Sequence, residues 1–147
     1  MAETNSLSLD LASHPDNVGL ARLAVAALAA GAPFGVPDLE EIRVAVSEAV
    51  TNAVLHGYGG RRDGRVRVEA SLSQDRLQVV VSDQGRGIED VALARQAAGG
   101  DGERLGLGIL FMETFMDHVV IESHPGQGTR VVMEKRLPVA ALAPDGY

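Results

Sequence analysis

The sequence predicts an α+β fold on three observations. Two pairs of alternating apolar runs are each joined by turn residues, which is the pattern of β-hairpins with one buried face. A central segment carries Ile42, Val46, Ala49 and Ala53 at spacings of three and four, which is the pattern of an amphipathic helix. The whole chain, 147 residues without cysteine, is one domain's length and can bury a core without disulfides or thiolate metal sites.

In chain order, Ser6-Leu7-Ser8-Leu9-Asp10-Leu11 alternates strictly and reads as a half-buried strand. A helix over 18–30 follows, with Asp16 or Asn17 as its N-cap and Gly31 and Pro33 as its stop; Arg22 is its only charge. Asp38-Leu39-Glu40-Glu41 resembles a capping box, Asp38 capping and Glu41 reaching back, and opens the central helix, which ends at Gly57-Tyr58-Gly59-Gly60. The first hairpin pairs Val66, Val68, Ala70 and Leu72 with Leu77, Val79 and Val81. A short helix over 89–97, a Gly-rich stretch and a helix over 107–116 come next. A second hairpin over 119–122 and 129–136 turns at Pro125-Gly126-Gln127-Gly128, and the tail 138–147 is expected to be mobile.

Composition removes several function classes. A net charge of -7 opposes binding to a phosphate backbone, and two tyrosines without tryptophan offer few surfaces for stacking bases. No apolar run is long enough to span a bilayer, and the N-terminus has no signal-peptide pattern, so a cytoplasmic location without membrane or direct nucleic-acid contact is expected.

Four short motifs carry the chemistry. Glu48 and Asn52 stand four apart on the central helix, so a carboxylate and a carboxamide share one face. Asp83-Gln84-Gly85-Arg86-Gly87-Ile88 puts an aspartate just past a buried strand, with glycines that allow close backbone approach. Arg104-Leu105-Gly106-Leu107-Gly108 opens a helix with unobstructed N–H groups, which suits an anion. Gly128-Thr129 begins the last strand. Taken singly, each has an ordinary reading as a polar helix edge or a turn. Their order in one chain is far more specific.

That order resembles the GHKL ATP-binding superfamily, whose nucleotide site is built from these boxes on a mixed, mostly antiparallel sheet in a two-layer sandwich with helices on one face. Within it, Val46-Ser47-Glu48-Ala49-Val50-Thr51-Asn52-Ala53-Val54, His56-Gly57-Tyr58 and Glu113-Thr114-Phe115-Met116-Asp117 are similar to the anti-sigma F family of serine-protein kinases of spore-forming bacteria, from the first strand to about Leu137. The resemblance implies ATP or ADP with Mg²⁺ as cofactors, Glu48 as catalytic base and Asn52 as the Mg²⁺ ligand. Asp83 would accept from the adenine amino group, Thr129 would seat the adenine edge, and Gly85, Gly87 and Ile88 would lie along the nucleotide. Gly106, Leu107 and Gly108 would face the phosphates with Arg104 beside the terminal one. Arg22 matches a position that touches both protein partners.

The implied function is that of a homodimeric switch. It holds a sigma-F-type RNA polymerase sigma factor inactive and phosphorylates an anti-anti-sigma factor on serine. A stress-response kinase of the sigma-B type, a metabolic ATPase of the same fold and a nucleotide-gated binding module without catalysis are the competing expectations. A tandem histidine kinase is disfavoured because no phosphoacceptor helix precedes the domain. One departure from the family lies in 97–103, which is short and lacks threonine and lysine; nucleotide binding with fewer lid contacts is expected there.

Overall fold

A computed structural model describes residues 2–96 and 103–138. Five strands form one sheet in the order β1-β2-β3-β5-β4. They are β1 (Glu3–Ala12), β2 (Arg65–Ser73), β3 (Arg76–Asp83), β4 (His118–Ser123) and β5 (Thr129–Arg136). Every pairing is antiparallel, so the expected mixed sheet is corrected to a wholly antiparallel one. The two hairpins, β2–β3 and β4–β5, meet where β3 pairs β5. The strand period of two puts Val66, Val68, Ala70 and Leu72 on the same face as Leu77, Val79 and Val81, and all are buried.

Helices α1 (Asn17–Ala29), α2 (Val36–Thr51) and α4 (Glu103–Phe115) pack with that face into one hydrophobic core, and α3 (Val91–Gln96) lies against α4. The opposite face turns Ser8, Arg67 and Glu69 to solvent. Helix α2 buries Ile42, Ala45, Val46, Ala49 and Val50, the stripe its spacing predicted.

Asp16 stands at the N-cap of α1 as expected, and the start of α2 differs from expectation. In α2 the cap is Gly35, and Asp38 is the residue that reaches back, accepting the Gly35 N–H at 2.9 Å. Pro37 in the first turn brings the helix start forward of Asp38, since proline fits there without losing a bond. Neither Asp16 nor Asn17 caps α1 with its side chain; the Asn17 amide donates to the Ala12 carbonyl instead. The proposed tail from 139 onward and the lid over 97–102 lie outside the described residues.

Lys135 is the one cation among the described core residues. Its ammonium donates to the Phe115 carbonyl at 2.7 Å, closing the C-terminal end of α4, and sits 3.9 Å from Glu41. Lys135→Met keeps the apolar stem and deletes this bond, leaving a carbonyl without its partner. It should lower unfolding stability by about 1–3 kcal/mol, read from urea titrations of both proteins.

Candidate nucleotide site

The site begins where α2 changes pitch. After Thr51 the helix continues as a π-helical turn, Asn52–Gly57, closed by the Tyr58 N–H on the Ala53 carbonyl at 3.0 Å. Single π-turns cost hydrogen-bond geometry and concentrate at functional sites. Glu48 and Asn52 flank this transition on the side facing α4, where Gly108 lies against them. A Cβ on Gly108 would stand 3.0 Å from both the Asn52 amide nitrogen and Glu48 Oε2.

Helix α4 starts at Glu103, four residues earlier than the glycines suggested, so Gly106 lies in its first turn and Gly108 in its second. Gly108 gives two helices a close approach. Leu107 points away from the pocket and is 42% exposed, because the inward face of α4 runs through Leu105, Ile109 and Met112.

At the other end stands Asp83, last residue of β3 and opposite Thr129 of β5 in the sheet register. It is 8% exposed. Burial raises its pKa above the ordinary carboxylate value, opposed in part by backbone N–H bonds from Gly85 and Thr129. The Gly85 N–H reaches Oδ1 at 2.9 Å. Glycine is required around it for contact with protein. A Cβ on Gly85 would meet the Gly57 carbonyl at 2.1 Å, and one on Gly87, at φ 74°, would meet the His124 carbonyl at 2.1 Å. Gly85 and Gly87 thus let backbone pack on backbone around Asp83.

Between the two ends runs a cavity lined by Asn52, His56, Asp83, Ile88, Ile109 and Thr129, among others. It measures about 20 Å³, room for a water molecule and too little for a purine. The structure thus brings together Asn52, Asp83, Ile88 and Thr129 of the expected set. Glu48 adjoins Asn52 with 13% of its side chain exposed, and Arg104 approaches Glu48 Oε2 at 3.9 Å from the surface. That oxygen is buried without a hydrogen bond among the described residues. Arg22 is not part of this group; it lies exposed on α1 and donates to the Ser47 hydroxyl at 3.2 Å.

Two residues escaped sequence reasoning. Ser123 accepts the Ile88 N–H at 2.7 Å and shares a hydrogen bond with the Thr129 hydroxyl at 2.7 Å, fixing two lining residues at once. His56 lines the cavity with Nδ1 3.2 Å from the Arg86 guanidinium. A guanidinium only donates, so Nδ1 accepts and the proton rests on Nε2. Burial, then the Arg86 charge, lower the His56 pKa from 6.5, and the ring is neutral at pH 7. The only available sequence signal was position, four residues after Asn52.

An oxygen donor pair, the Glu48 carboxylate and the Asn52 amide, meets the hard-ligand requirement of Mg²⁺, and the unbonded Glu48 oxygen leaves an acceptor to spare. A buried carboxylate at the end of an apolar slot meets the requirement of an amino-bearing base.

Comparison with known proteins agrees with this fold. A family model described as histidine kinase-like ATPase domain matches residues 11–135. The anti-sigma F factor of Clostridium beijerinckii is 39% identical over 93% of this chain and 98% of its own length. That of Clostridium botulinum is 36% identical over 92% and 96% respectively. Among solved structures, the RsbU and RsbW domains of a Mycobacterium tuberculosis protein superpose with TM-score 0.65 at 24% identity, over 91% of this chain and 32% of that one. A histidine kinase domain from Erythrobacter litoralis gives TM-score 0.56 at 24% identity, over 84% of this chain and 60% of that one. At such identities the two structures speak for the fold alone. Fold, box order and full-length similarity converge: the chain belongs to the histidine kinase-like ATPase family, and within it to the anti-sigma F factors.

Proposed function

We propose that this protein is a cytoplasmic, homodimeric anti-sigma factor and ATP-dependent serine-protein kinase. It binds a sigma-F-type sigma factor and transfers the γ-phosphoryl group of ATP to a serine of an anti-anti-sigma protein. The anti-sigma F name of relatives that align over nearly their whole length supports the partners. The observation that carries the chemistry is the Glu48–Asn52 pair, packed on Gly108 at the mouth of a slot that ends in Asp83.

In this reading Asp83 accepts from the adenine amino group and Thr129 seats the ring edge. Asn52, with Glu48 beside it, would hold Mg²⁺, which supplies charge neutralisation at the phosphates. Glu48 takes the proton from the acceptor serine as Oγ bonds to the γ-phosphorus. The bond from that phosphorus to the bridging oxygen breaks, and ADP leaves with the electron pair. Arg104 exchanges its 3.9 Å approach to Glu48 for the γ-phosphate. Because the closed cavity admits no purine, binding moves Leu105 and Ile109 outward with the first turns of α4.

The test is incubation with γ-labelled Mg-ATP and the cognate anti-anti-sigma protein. Label on a serine of the partner is expected; ATP binding without transfer would leave a nucleotide-gated binding module, and no ATP binding would overturn the site. Arg22→Glu should weaken both protein complexes at least tenfold while ATP affinity stays the same, since Arg22 lies outside the cavity. Unchanged complexes in a pull-down titration would remove Arg22 from the interface.

A further inference from the structure

The peptide that joins Asp83 to Gln84 is held from two sides by groups that no role above uses. On one side the Gln84 N–H donates to the Tyr58 hydroxyl at 2.9 Å. That hydroxyl in turn donates to the Arg65 carbonyl at 2.6 Å, so its orientation is settled: it accepts from the loop and donates to the first residue of β2. On the other side Gly128, at φ 79°, lies so close that a Cβ there would stand 2.1 Å from the Asp83 carbonyl.

Tyr58 is itself immobilised. It is 7% exposed, and its ring rests on Gly64, where a Cβ would come within 2.4 Å of it. Its neighbour Gly57 adds two contacts to the same loop. The Gly57 carbonyl accepts the Arg86 N–H at 2.9 Å, and a Cβ on Gly57 would stand 2.9 Å from Asp83 Oδ1. The chain leaving the π-turn thus grips the segment from Asp83 to Arg86 at three points. A carboxylate reads a base by direction as well as charge, and a small displacement of its peptide misdirects it.

We propose that Tyr58 is the positioning residue that aims Asp83, so that its hydroxyl sets how strongly the protein prefers a purine with an exocyclic amino group at carbon 6 over one with a carbonyl there. The inference rests on Asp83 as the base-reading acceptor. Tyr58 touches no ligand; it acts through the Asp83–Gln84 peptide. The same hydroxyl couples the base-reading end of the site to the helix bearing Glu48 and Asn52, since Tyr58 directly follows the π-turn.

The experiment compares ADP with inosine diphosphate, which has a carbonyl in place of the amino group, by calorimetric titration of the full chain. The wild type should prefer ADP. Tyr58→Phe deletes only the hydroxyl and keeps the ring on Gly64. It should weaken ADP about tenfold, leave inosine diphosphate within about threefold, and so shrink the preference. Gly64→Ala tests the same point without touching the hydroxyl, because it displaces the ring that carries it, and the same selective loss is expected.

Equal weakening of both nucleotides in these variants would make Tyr58 a general brace and overturn the proposal, as would an unchanged preference. A wild type that binds both nucleotides equally would instead overturn Asp83 as reader of the amino group, and the proposal with it. If Tyr58→Phe does not fold, Gly64→Ala decides between the same outcomes.

Discussion

Asp83→Asn is expected to lose nucleotide binding while leaving the fold as stable as before, or more so. The stability half follows from one fact: burial raises the Asp83 pKa. In the unfolded chain this group ionises near the ordinary aspartate value of 3.8, and in the folded chain it ionises higher. Between those two values the folded state holds the extra proton, so this group's contribution to stability falls as pH rises through that window. Above it, at neutral pH, the whole penalty is present. Asparagine carries no charge to bury and its carbonyl oxygen can still accept the Gly85 N–H, while losing the Thr129 N–H bond offsets part of the gain.

Toward a ligand the exchange is unfavourable. The amide's NH₂ group donates, as the amino group of adenine does, so two donors face each other where a donor met a carboxylate. Losing a charge-assisted bond and leaving a donor unpaired should weaken ADP by roughly 100-fold or more. In the wild type, ADP affinity should fall on acidification as Asp83 takes up its proton, beginning at a higher pH than for an ordinary aspartate. Calorimetry at neutral pH, with a thermal melt of each protein, checks both halves. ADP binding within threefold of wild type, or a sharply lower melting temperature, would contradict this assignment.

Glu48→Gln should separate chemistry from binding. Glutamine has the same shape and preserves packing on Gly108, but its amide cannot take a proton from serine. Phosphotransfer should fall by about 10²–10⁴-fold, with the ADP dissociation constant within a few-fold of wild type. The Arg104 approach at 3.9 Å is to an exposed guanidinium, so its loss costs the fold little. An unaltered rate would remove Glu48 as base. Loss of ADP binding would make it a structural support for Asn52.

Sequence patterns were legible wherever one rule decided the outcome. Alternation predicted both hairpins, and the spacing of three and four predicted the buried stripe of α2, because sheet and helix each bury one face. They misled where tertiary contact overrides local preference. Gly106 and Gly108 read as a helix entrance, yet α4 already runs through them, and Gly108 serves the tight crossing beside Glu48 and Asn52. The glycines after Asp83 signalled close approach, but sequence does not say that the Gly57 carbonyl occupies the space beside Gly85. Ser123 and Tyr58 act through hydrogen bonds to residues distant in the chain, Ile88 and Gln84, and no local pattern records such partners.

The strand order has a consequence for how the protein comes into being. The hairpins β2–β3 and β4–β5 join near neighbours and can form early, whereas β1 pairs β2 only after about fifty residues of intervening chain are organised. Asp83 and Thr129 belong to different hairpins, and Asn52 belongs to the helix between β1 and β2. Each autonomous piece therefore holds one fragment of the slot and none holds two. Competence to sense nucleotide arises late, at the docking of separately formed pieces. A chain still emerging from the ribosome, short of β5, has no Thr129 to set opposite Asp83.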